Sequence, residues 1–316
     1  MGNIMAKMRQ PADKERVQNG KRARHRIAAN RNEGNGAVIS RLSGAVLRAV
    51  MVILMIATPS LMLAGTTADT SQIVVLVCIV AGVFTFVEYS SASPSLIEFR
   101  EAPPFNRVRF LGLFATVIAL TVIARSETDP TNIGVMFQIV GSSLAEGMDF
   151  PYSPVRLVVL MLPSEASASL VSDVRIAAGL SYLVSLISLA VFILALRLYS
   201  WPNQRGGFNV WTNLPTFDPT AGGDVVERLE RDGQLNLILG FLLPFLIPAL
   251  VKLMSDLFNP IQLQDPHTLI WTMTAWAFIP ASLIMRGIAM LRVGQMIALQ
   301  RERAYLDAQS EDRVPA

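Results

Sequence analysis

Six long apolar runs, at roughly 44–64, 73–92, 108–125, 175–198, 235–257 and 268–291, alternate with connectors rich in charge, proline, glycine and serine. A helix crosses the hydrocarbon core with about 20 mainly apolar residues, and each run meets that length, 108–125 being the shortest. Lipid offers no partner to backbone N–H and C=O groups, so a run of this kind crosses as a helix. The pattern predicts an all-α, polytopic integral membrane protein, a bundle of about six transmembrane helices with both termini cytoplasmic. It divides into a basic tail (1–43), a transmembrane domain (44–298) with an outer loop (126–174) and an inner loop (199–234), and a C-terminal tail (299–316).

Composition agrees with the pattern. Charged residues make up 16% of the chain and hydrophobic ones 52%, where a soluble domain carries about a quarter charged residues. Of the 27 Lys and Arg, ten fall within residues 1–43. That segment has no aliphatic periodicity and reads as disordered. Its stretch KRARHRIAANR lacks the interleaved aromatics of a single-strand nucleic-acid site, so anionic headgroups of the inner leaflet are the expected partner and nucleic acid is not. Lysine is scarce among the basic residues, a bias suited to a GC-rich bacterial genome and hence a bacterial inner membrane.

Arginine sets the expected orientation. Connectors 93–109 and 199–234 carry Arg100, Arg107, Arg109, Arg205, Arg228 and Arg231, and the C-terminal region adds Arg292, Arg301, Arg303 and Arg313. Connectors 65–72 and 258–267 carry no Lys or Arg; 126–174, with Arg156, is mixed. The N-terminus is therefore expected inside. The first run follows too long a basic segment to be a cleaved signal. Within the outer loop, NIGVMFQIVGSSL and SPVRLVVLMLP are apolar but short. They suit an interfacial helix with a packed cap, or a re-entrant segment lining a cavity.

Ionisable residues near span ends are the first candidates for chemistry, because each costs a few kcal/mol toward the bilayer centre. Glu88, Arg48 and Arg286 lie at similar depth near the inner face, so a Glu88–Arg286 or Glu88–Arg48 ion pair is expected, with snorkelling arginines as the alternative. At the outer side Lys252, Asp256, Asp265 and His267 form a polar cluster, for which an N-cap role of Asp265 is the simplest reading and a divalent cation the sharper one. Pro244, Pro248 and Pro280 are expected to kink the fifth and sixth spans. Ser181, Ser185, Ser188, Thr272 and Thr274 are the candidate partners for the freed carbonyls.

The connector SPSLIEFREAPPFNRVRF is a docking-loop candidate through Glu98, Arg100, Glu101, Arg107 and Arg109. Its Phe99, Phe105 and Phe110 suit the inner interface, and Pro103-Pro104 suits an extended break. In the inner loop, DVVERLERDG reads as a short helix capped by Asp224 and ended by Gly233.

Cys78 stands alone, so an internal disulfide is excluded, and His25 and His267 give no facing pair for haem. P-loop, G-x-G-x-x-G, H-E-x-x-H, C-x-x-C and G-x-S-x-G motifs are missing. No catalytic residue, metal or cofactor is expected. The leading expectation is a non-catalytic membrane accessory, scaffold or assembly protein acting through its cytoplasmic loops within a membrane-protein complex. A small-solute or ion transporter using the kinked fifth and sixth spans is the alternative.

Overall fold

Every apolar run becomes a helix longer than the run itself. A computed structural model describes residues 40–91, 94–100, 102–199, 201–202, 213–218, 220, 222–255 and 263–311. Helix α1 covers Ser40–Met62, α2 Ala68–Ser90, α3 Pro103–Thr128 and α4 Asn132–Met148. The chain continues through α5, Pro154–Leu160, α6, Ala168–Leu198, α7, Val225–Ser255, and α8, Pro266–Glu311. Six of these, α1, α2, α3, α6, α7 and α8, are long and apolar enough to cross a membrane. The protein is all-helical among the described residues, a multi-pass membrane protein. The basic tail falls almost entirely outside the described residues.

Side-chain caps set several helix starts. Thr67, Thr131, Ser153 and Ser167 each accept a hydrogen bond from the backbone N–H three residues on, filling one of the four donors a helix N-terminus leaves open. Pro103 and Pro104 open α3 instead of separating two helical turns, because proline loses nothing where no intrahelical N–H is needed. The expected short helix after Asp224 does not stop at Gly233; it runs on as α7 to Ser255.

α7 and α8 pack along much of their length with little room between them. A Cβ at Gly240 would lie 2.7 Å from the Pro280 carbonyl oxygen, and one at Gly287 2.6 Å from that of Gly233. Backbone-to-backbone approach of this kind needs glycine. The indole of Trp276 donates to the Pro244 carbonyl at 3.2 Å, the acceptor that Pro248, lacking an N–H, leaves open. The hydroxyls proposed from sequence do not do this. Ser185 donates to Tyr182, one turn back in its own helix, and Ser181 and Thr274 are buried with unpaired oxygens among the described residues.

Two cores result. One joins α3, α4, α5, α6 and α8 around Trp276, Val155, Val158 and Ala178. The other, at the arginine-rich end, gathers Phe99, Phe105, Phe192, Trp201, Leu214 and Met285. α4 packs on α3 and α6, and α5 on α6 and α7, with Ala145, Val155 and Val158 fully buried. The α1–α2 hairpin adds no fully buried member to either core. Its helices meet each other where Gly82 faces Ile53 and the Cys78 thiol approaches the Ile53 carbonyl at 3.7 Å.

The last helix is much longer than its span. At 1.5 Å per residue, its 46 residues reach about 69 Å, roughly twice the hydrocarbon thickness. The segment expected to be a C-terminal tail therefore continues as helix, and Leu299, Tyr305 and Leu306 stand exposed on it.

Candidate functional site

The densest polar network sits at the arginine-rich end, where the connector between α2 and α3 folds back onto the bundle. Glu88, in the last turn of α2 and buried, accepts from the backbone N–H groups of Ser95, Leu96 and Ile97 at 3.0–3.1 Å. The Ser95 hydroxyl donates to it as well. Arg100 closes the same loop from the other side, donating to the carbonyls of Glu88 at 3.0 Å and Ser91 at 2.8 Å. One carboxylate thus serves the loop's donors, and one guanidinium serves carbonyls that the end of α2 leaves free.

That clasp presents Glu98 to Arg286. The Arg286 Nε and Nη2 donate to the two Glu98 oxygens at 2.6 and 2.8 Å, a bidentate pair. Thr216 donates to the same carboxylate at 2.6 Å, and Arg286 Nη1 reaches the Asn236 oxygen at 3.1 Å. Four elements converge here: the α2–α3 connector, the segment after α6, α7 and α8. The expected Glu88–Arg286 and Glu88–Arg48 pairs do not form. Glu88 is saturated by backbone donors, and Arg48 lies over the Tyr89 ring at 4.6 Å while donating to the Gly44 carbonyl.

The neighbouring aromatics are consumed by the core. Phe99 adopts a positive φ of 52°. Its N–H donates to the Asn213 carbonyl at 2.6 Å, and Asn106 donates to its own carbonyl at 3.2 Å. The ring is fully buried, 4.5 Å from Phe105 and 5.8 Å from Trp201. Phe99 and Phe105 therefore do not enter a headgroup layer, as the connector's composition suggested; only Phe110 remains partly exposed, against Phe114. Of the docking-loop candidates, Glu98 and Arg100 are engaged internally, Arg107 is exposed, and Glu101 lies outside the described residues.

Arg109 is different. Its guanidinium carbon lies 5.0 Å from the Phe105 ring centre and 5.8 Å from that of Phe278. Its Nε is enclosed and has no hydrogen-bond partner among the described residues. It lines a cavity of about 420 Å³, shared with Glu98, Arg286, Tyr89, Asn106 and Ser282, between the α1–α2 hairpin and α3 and α8.

At the opposite end the described members of the predicted polar cluster each make contacts of their own. Asp265 accepts from the Thr268 N–H at 2.8 Å, an N-cap for α8. His267 Nε2 lies 3.4 Å from the Thr66 hydroxyl, and Lys252 reaches the Leu162 carbonyl at 3.4 Å. Asp256 lies outside the described residues. Among the described residues no group of three or more His, Cys, Asp or Glu is placed to hold a metal ion.

Two carboxylates there were missed: Glu127 and Asp173 line a shared cavity of about 180 Å³. The cap at Ser167, readable from SASL, would have started α6 early enough to include Asp173. The arginines of this end are each paired with a carboxylate, Arg125 2.8 Å from Asp129, and Arg156 and Arg175 sharing Asp149 at 3.2 and 2.8 Å.

Comparison with family models, with curated proteins and with solved structures returns no match for this chain.

Proposed function

We propose that this chain is a non-catalytic accessory or assembly protein of a bacterial inner membrane, with both termini cytoplasmic, working through its cytoplasmic face. The observation that carries the reading is the extension of α8 beyond the bundle, with Leu299 and Leu306 both exposed. Seven residues apart, they share one helix face, the spacing at which a partner helix inserts side chains. The extension is tied to the bundle through Arg301, which donates to both oxygens of Asp224 at 2.8 and 3.0 Å. A helix anchored at Arg301 that leaves Leu299 and Leu306 exposed on one face is suited to receive another protein's apolar ridge.

Orientation rests on charge. The arginines at the far end are paired with carboxylates, whereas Arg107 and Arg303 at the near end stand exposed. The transport alternative has less support, since the α7–α8 seam it would use is closed by glycine-mediated contact and by Trp276.

The test is affinity purification of the full chain from native membranes, beside a Leu299→Glu/Leu306→Glu variant. The expected result is a stoichiometric protein partner held by the native chain and lost from the variant. Recovery of the native chain alone as a monomer overturns the reading.

A further inference from the structure

The cavity beside Arg109 has the make-up of a ligand site that the accessory role does not use. We propose that it binds a phosphate-bearing anion, with Arg109 as the principal charge partner, at the seam between the α1–α2 hairpin and the bundle. At about 420 Å³ it falls within the range of small-molecule sites, about 300–1,000 Å³, so it holds a polar head with part of a chain, and not merely an ion.

Its charge is unbalanced. Arg109, Arg286 and Glu98 line it together, and Glu98 is committed through both oxygens to Arg286 and through one to Thr216. One positive charge remains, on the guanidinium whose Nε has no acceptor among the described residues. Enclosed donors of that kind are costly unless met, and the rings of Phe105 and Phe278 that Arg109 faces offer no acceptor oxygen. A phosphate oxygen supplies one, in the fork geometry that suits a guanidinium. Neutral donors stand nearby, since the hydroxyls of Thr85, Tyr89 and Ser282 line the same space.

The rest of the wall is mostly apolar, with Val52, Leu96, Ile97, Phe110, Phe278 and Leu283 beside Asn106. α2 makes no close backbone approach to α3–α8, so at this end the cavity lies between α2 and the bundle. Tyr89 lies in the last turn of α2 and Arg109 in the second turn of α3, near span ends, where the headgroup meets the acyl region. An anionic phospholipid satisfies both kinds of wall. A soluble phosphate satisfies only the polar one, and the experiment separates the two sources.

Purified full-length protein is exchanged into micelles doped with phosphatidylglycerol or with zwitterionic phosphatidylcholine, and retained lipid is counted by native mass spectrometry. A parallel arm measures thermal unfolding with inorganic phosphate. The expected result is one retained phosphatidylglycerol per chain, with retention weakened on the order of tenfold by Arg109→Gln. Arg109→Lys should restore part of it, and Arg107→Gln, at an exposed site outside the cavity, should leave it unchanged. Ser282→Phe fills the cavity without removing charge and should also release the lipid, which keeps the test open if Arg109→Gln does not fold. Stabilisation by inorganic phosphate that depends on Arg109, with no lipid retained, assigns the site to a soluble phosphate. Binding of either probe that is indifferent to Arg109 and Ser282, or equally sensitive to Arg107, overturns the proposal.

Discussion

Arg286 of α8 holds Glu98 of the α2–α3 connector through two hydrogen bonds, at 2.6 and 2.8 Å, across 188 positions of sequence. The Glu98 side chain is 10% exposed and that of Arg286 30%, so the pair stands between a surface bridge, worth about 0–1 kcal/mol, and a buried one, whose breaking costs about 3–5 kcal/mol. Arg286→Gln should lower stability by about 2–3 kcal/mol in detergent unfolding, because Glu98 is left with Thr216 alone. The double change with Glu98→Gln should cost clearly less than the sum of the single ones. Simple additivity would mean that the two residues do not stabilise each other.

Glu88 has a separate task, and Glu88→Gln should affect a different place. An amide oxygen cannot serve three backbone donors and a hydroxyl, and its NH₂ would meet donors where it needs acceptors. Hydrogen exchange at the amides of Ser95, Leu96 and Ile97 should quicken, with a stability loss of about 1–3 kcal/mol. Unchanged protection at these three amides would remove Glu88 from the clasp.

The six crossings and the all-helical class were legible because a span's length and apolarity are local properties of the chain. The pairing of Glu98 was not. Depth along the spans put Glu88 and Arg286 at one level, but depth is silent about a connector that turns back, and the turn depends on Phe99 at φ 52° and on a contact with Asn213. The length of α8 was missed for a related reason. Its apolar window ends near residue 291, yet the following sequence to Glu311 has no proline, so nothing obliges the helix to stop. Arg109 looked like its neighbour Arg107, and only packing separates a cation enclosed between phenylalanines from one in the open.

Trp276 gives a sharper test of the kinked pair of helices. Its N–H serves the Pro244 carbonyl only because Pro248 cannot. Trp276→Phe keeps most of the ring volume and removes the donor, so it should cost about 1–3 kcal/mol. In a Pro248→Ala background the backbone can supply its own donor, and the same substitution should cost much less. An equal cost in both backgrounds would mean that the indole acts by packing alone.

The anchor of the α8 extension should respond to acid. The Val226 N–H and then Arg301 hold the Asp224 carboxyl below its ordinary value, so its folded pKa is lower than its unfolded one. For a carboxylate shifted in that direction, the stabilisation is present above the unfolded pKa, about 3.9, and fades as pH falls through the folded value. Between neutrality and pH 5 the anchor should therefore be constant, and below about pH 4 it should loosen. Hydrogen exchange in the first turn of α7 reads this directly, because the same carboxylate caps the Val226 N–H at 2.8 Å. Arg301→Gln should weaken the α8 contact at neutral pH while leaving that cap in place, so first-turn protection should survive it and Asp224→Ala should abolish it. Equal loss in both variants would show that the arginine, and not the cap, orders the start of α7.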